Sequence, residues 1–108
     1  MDLKEIGERI QKLRLNTNTT KKSLSEFLDI SETDLERIET GTTNLINSDI
    51  IEKLSNLYYI PISYILNGEN TIENRIYFNY EGCSAKELKN MATIFSIIKN
   101  QIKMDRML

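Results

Sequence analysis

The chain has 108 residues, 40% of them apolar and 28% charged, with 14 lysines and arginines against 16 aspartates and glutamates for a net charge of −2. That composition suits one modest globular core rather than a disordered segment, and it provides no overall basic field to attract a polyanion. No apolar run approaches a membrane span, the start "MDLKEIGERI" is charged and helical rather than a signal peptide, and the single cysteine, Cys83, excludes an internal disulfide framework. The expectation is a cytoplasmic protein with no membrane partner.

Ile6, Ile10 and Leu13 recur at spacings of four and three and predict an amphipathic first helix from about Asp2 to Leu15. "NTNTT" breaks it with residues that form helix poorly. Thr20 is a suitable N-cap for a second helix, Lys21 to about Leu28, with Leu24, Phe27 and Leu28 on its inner face. Ser31 followed by Asp34 starts a third helix with Leu35 and Ile38 turned inward, and Gly41 ends it. A fourth helix is predicted from about Ser48 to Tyr58. A short fifth follows Pro61 with Ile62, Ile65 and Leu66, and Asn67-Gly68 stops it.

Residues 70–83 read as a linker or short strand, because "RIYFNYEG" alternates in polarity. Ser84 and Glu87 then form a capping box for a helix over residues 84–108, ~36 Å long at 1.5 Å per residue. Leu88, Met91, Phe95, Ile98 and Ile102 step by three, four, three and four, broadened by Ala92, Ile94 and Ile97. Such a heptad seam predicts a dimerisation helix, in preference to one that packs back on its own domain.

Chemistry is scarce. There is no histidine, Cys83 has no partner with which to build a zinc site or a nucleophile, and the four glycines lie too far apart for a phosphate-cradling loop. The carboxylates are spread along helical faces. No metal, no cofactor and no enzymatic activity are expected.

The layout of the first 69 residues resembles the Cro/CI-type (XRE) helix-turn-helix regulators. "IGERIQKLR" resembles the family's opening helix, "TKKSLSEFLDIS" its second helix and turn, "ETDLERIETG" its recognition helix, and "LSNLYYIPISYILNG" its closing segment. The resemblance implies an all-α, five-helix phage-repressor-like domain over residues 1–69, followed by the linker and the C-terminal helix. "GCSAKELKNM" is similar to the multimerisation helix of Sin-type regulators. Asp29 and Tyr59 stand where the family usually has glycine, and Leu45 stands near a usual proline.

The recognition helix is unusually acidic, with Glu32, Asp34, Glu36 and Glu39. The resemblance implies that Glu39 pairs with Arg14 as internal scaffolding, and that Glu32, Thr33 and Arg37 occupy base-reading positions. There Arg37 can grip a guanine, Thr33 a thymine methyl, and Glu32 a cytosine amino group. Lys21 and Lys22 at the start of the second helix are candidate phosphate contacts, as are Thr42, Thr43 and Asn44, where the family more often has Lys or Arg. In residues 1–70, eight lysines and arginines stand against twelve aspartates and glutamates, a net −4, so the phosphate grip of one copy is thin. Two functions follow. The preferred one is a dimeric, sequence-specific regulator, acting as a repressor, on double-stranded operator DNA. The alternative is a protein with a retired DNA face that sequesters a paralogous repressor through its C-terminal helix.

Overall fold

The computed structural model describes residues 2–68 and 78–107, with side chains as far as residue 100. The described residues form six helices and no strand: α1 (Leu3–Asn16), α2 (Lys21–Leu28), α3 (Glu32–Thr40), α4 (Ser48–Tyr58), α5 (Ile62–Asn67) and α6 (Ala85–Met107). The boundaries of α2 to α5 follow from their ends. Thr20, Ser31 and Asn47 each accept a backbone N–H from the first turn of the helix they precede, while Gly41 and Gly68 close α3 and α5 in the left-handed conformation. Arg9 of α1 donates to the carbonyls of Ile65 and Leu66 at 3.1 and 3.2 Å, placing a cation at the carbonyl end of α5.

Ile6, Ile10, Leu13, Leu24, Leu35, Ile38, Leu54, Leu57 and Ile65 form the centre of the core, each at most 1% exposed. Phe27 and Leu66 pack on it from the edge, while Ile62 remains 42% exposed. α1 crosses α3 so closely at Gly7 that a Cβ there would collide with the Ile38 carbonyl oxygen and lie 2.7 Å from that of Glu39. Glycine at this position is a packing requirement, because the backbone of the third helix occupies the space a side chain would need.

The two residues standing in place of glycine both adopt the left-handed conformation, Asp29 at φ 61° and Tyr59 at φ 53°. Each closes its helix with the same pair of backbone bonds. Asp29 N–H donates to Glu26 and Ile30 N–H to Ser25, while Tyr59 N–H donates to Asn56 and Ile60 N–H to Ser55. An aspartate tolerates this conformation because a short polar side chain can bond locally. A tyrosine has no such local compensation, but the ring of Tyr59 packs against Phe95 of α6 with centroids 5.2 Å apart, a contact glycine cannot make.

The tail is part of the same core. Tyr80 donates its backbone N–H to the Thr17 carbonyl and its hydroxyl to the Leu57 carbonyl, both at 2.7 Å, and so wedges between the α1–α2 loop and α4. Phe78 and Tyr80 are not in a strand, and the first part of the expected linker, residues 70–77, lies outside the described residues. Ser84 and Glu87 cap α6 reciprocally, and the helix then lies on α2 and α4. Of the expected seam, Leu88 is 0% and Phe95 9% exposed within a single chain, and Met91 packs on the same core, so these residues are seated on their own domain. Their spacing required a hydrophobic cover, and the α2–α4 face supplies it. Ile98 is exposed, and the side chain of Ile102 lies outside the described residues.

Lys99 fixes α6 lengthwise. Its ammonium donates to the Ser55 carbonyl at 3.0 Å, the Ser55 hydroxyl at 2.9 Å and the Ile60 carbonyl at 3.2 Å, and it lies over the Tyr59 ring. A cation thereby meets the carbonyl end of α4, where the helix dipole favours it.

Two outcomes are expected. Leu88→Ala should cost ~2–5 kcal/mol in chemical denaturation, as truncation of a fully buried leucine does, with α3 and α6 unfolding in one transition. The second concerns pH. Burial, more than any neighbouring charge, raises the pKa of the Tyr58 and Tyr80 hydroxyls in the fold. Unfolded tyrosines ionise near pH ~10 while the folded ones keep their protons, so this contribution is complete below that pH and is lost as pH rises above it. Urea midpoints measured from pH 8 to 11 should fall only at the alkaline end.

Candidate nucleic-acid interface

The α2–turn–α3 unit begins at Thr20 and ends at Gly41. Leu24, Leu28, Leu35 and Ile38 anchor it from beneath, which leaves Glu32, Thr33, Glu36 and Arg37 exposed on the opposite side of α3. Ser25 of α2 is buried and returns its hydroxyl to the Lys22 carbonyl at 3.0 Å, an internal hydrogen bond that satisfies the buried oxygen.

Three cations, Arg14, Lys21 and Arg37, lie beside acids of α3. Arg14 and Glu39 form a buried bidentate pair, Nε to Oε2 at 2.6 Å and Nη2 to Oε1 at 3.1 Å. The third Arg14 nitrogen donates to the Thr19 carbonyl at 3.4 Å. Around Thr19 the Thr17 and Thr19 hydroxyls lie 2.7 Å apart, and Tyr58 donates to Thr19 at 3.2 Å. One polar network therefore ties α1, α3 and α4 together behind the exposed face. Nearer the surface, Lys21 approaches Glu36 at 3.2 Å and Arg37 approaches Asp34 at 4.0 Å. These exposed pairs are weak and open readily toward a stronger anion.

The acidity of α3 therefore divides by position. Glu39 is scaffolding, Glu36 and Asp34 lie beside the cations Lys21 and Arg37, and Glu32 is exposed in the first turn, where the helix dipole favours a carboxylate. The loop after Gly41 is held by its own hydrogen bonds. Thr42 bonds back through its N–H to the Arg37 carbonyl at 3.0 Å and lies beside the Thr40 hydroxyl, while the Thr43 oxygen accepts from the Leu45 N–H. Both threonines shape the loop. Lys22 and Asn44 are exposed polar groups.

Sequence reasoning missed Arg9, Thr17, Thr19, Tyr58, Tyr80 and Lys99, whose roles depend on contacts between distant segments. Only Lys99 left a signal, one turn beyond Phe95 on the inward face of α6.

Two capped helices joined by a left-handed turn, the second braced from behind and exposed in front, define a helix-turn-helix unit, a DNA-binding class of fold. The family model described as "Helix-turn-helix domain" matches residues 7–71, more than half of the chain, and the chain belongs to that family. No curated protein and no solved structure matches the chain significantly. Among the described residues no helix is long and apolar enough to cross a membrane, and no cluster of potential ligands could hold a metal ion.

Arg14→Ala should destabilise the protein by ~3–5 kcal/mol, because it leaves the Glu39 carboxylate buried without its partner. A matched Glu36→Ala variant, which removes only an exposed pair, should shift the denaturation midpoint little.

Proposed function

We propose that the protein is a sequence-specific, DNA-binding transcriptional regulator that places α3 in the major groove as a dimer and acts as a repressor. The observation that carries this reading is the exposure of Thr33 and Arg37 on a helix whose opposite face is locked by the Arg14–Glu39 pair. Arg37 has the planar fork that suits guanine, and a bound base edge would compete only with a long contact to Asp34. Glu32 repels phosphate and accepts a hydrogen bond only from a donor such as the cytosine amino group. It therefore contributes selectivity at the expense of affinity. Lys21, Lys22 and Asn44 are the phosphate contacts in this reading, with Thr42 and Thr43 holding their loop in place. Pairing two such domains offsets the thin grip of each and puts two recognition helices on adjacent turns of the duplex.

The alternative is an antagonist with a retired DNA face that sequesters a paralogous repressor through its C-terminal helix. Leu88 and Phe95 are seated in their own domain and would have to leave it.

The test is a salt-titrated binding measurement on the promoter of the protein's own gene against scrambled duplex. Arg37→Ala should cost ~1–3 kcal/mol and relax preference at one base position. Lys22→Ala should weaken binding to both duplexes alike and reduce the salt slope by about one. Absence of any preference by the unaltered protein for that promoter, together with no effect of Arg37→Ala on any duplex, would overturn the reading.

A further inference from the structure

We infer that Glu36 is an internal stand-in for DNA phosphate. It holds the Lys21 ammonium across the gap between α2 and α3, and a duplex gains that lysine only by displacing the carboxylate. The inference deepens the proposed function and rests on it for Lys21 as a phosphate contact.

Lys21 opens α2 and Glu36 lies in the middle of α3, fifteen residues further on, with Nζ 3.2 Å from Oε1. α2 has no acid in its own first turn, so the carboxylate beside its opening lysine comes from α3. The pair differs in kind from the buried one behind it. Its side chains are 41% and 55% exposed, against 8% and 2% for Arg14 and Glu39. A pair so exposed adds little to stability and exchanges partners readily. The buried pair holds α3 in place. The exposed one acts on whatever anion arrives at the start of α2.

A carboxylate and a phosphodiester are both monoanions that accept from the same ammonium. Lys21 cannot serve both at full strength, and Glu36, once displaced, remains near enough to repel the phosphate. The penalty falls on backbone contacts. Thr33 and Arg37 stay available to base edges, whereas sequence-independent binding, which depends on phosphates, is held down. Lys22 is exposed and has no ion pair among the described residues, so the two opening lysines are unequal. Glu32 precedes Glu36 by one turn on the same face of α3 and likewise has no ion pair among the described residues. It repels phosphate without holding a lysine, which makes it the matched control.

The test is a double-mutant cycle, read by fluorescence anisotropy on scrambled duplex at one low salt concentration. Glu36→Gln should tighten binding ~3–10-fold, and that gain should shrink by at least ~threefold when combined with Lys21→Ala. Combined with Lys22→Ala, the gain should persist. The gain from Glu32→Gln should be the same with and without Lys21→Ala, to within about twofold. All four side chains lie at the surface, so circular-dichroism spectra should not change. No gain from Glu36→Gln overturns the inference. So does a gain that survives Lys21→Ala undiminished, which would be repulsion at a distance, or one that Lys22→Ala reduces equally. Promoter preference measured on the same preparations separates the two proposals. Coupling of Lys21 to Glu36 without any promoter preference sinks the regulator reading and leaves this one standing, while preference without coupling sinks this one alone.

Discussion

The exposed helix α3 depends on a buried ion pair. Arg14 and Glu39 lie at the crossing of α1 and α3, where Gly7 allows the two backbones to approach closely. Desolvating two charges is expensive, and the bidentate geometry with a further bond to the Thr19 carbonyl is what offsets it. A hydrophobic pair of similar volume would fill the same space without fixing an angle. The guanidinium fork accepts a carboxylate in few orientations, so the pair sets the rotation of α3 about its own axis as well as its distance from α1. That rotation determines which side chains face outward. Glu32, Thr33 and Arg37 are therefore positioned by groups on the opposite side of the helix.

The same network connects this brace to the rest of the molecule. Thr17 and Thr19 link the Arg14 side chain to Tyr58 of α4, and Tyr80 from beyond the linker bonds to Thr17 on one side and Leu57 on the other. Ser23, two residues after Lys21, donates to the Cys83 carbonyl at 2.7 Å. The tail thus touches the start of α2 directly and the brace of α3 through two hydroxyls. The helix-turn-helix unit and the C-terminal helix form one cooperative body, with Tyr80, Leu88 and Ala92 in the same hydrophobic cluster as Ile6 and Leu35.

Much of this was legible in the sequence where the signals are local. Thr20, Ser31, Gly41 and Gly68 mark helix ends through their own side chains or lack of one, and the predicted second to fifth helices match the observed spans. The exposure of Thr33 and Arg37 follows from Leu35 and Ile38 being inward on the same helix. The destination of α6 was not legible, because spacing identifies an apolar stripe without saying what covers it. Leu88 and Phe95 on one side and Ile94 and Ile97 on the other are equally apolar in the sequence; only the docking of Lys99 against α4 distinguishes them. Tyr59 illustrates the same limit. The sequence shows it only as a departure from glycine, whereas its ring is one half of the contact with Phe95. The Lys21–Glu36 pair was likewise invisible, since it joins two helices, while Arg37 and Asp34 are neighbours on one.

The packing of α6 on α2 and α4 also bears on how the chain is made. Its core is built from residues near both ends of the sequence, and Leu88 and Phe95 form the final wall. A nascent chain still attached to the ribosome before those residues emerge has assembled most of its helices but lacks their cover. The α2–α4 face then stays wet, and the loop that Tyr80 pins between Thr17 and Leu57 has nothing to hold it. Assembly of the complete body therefore waits for α6, which closes a surface created by segments that precede it in the chain.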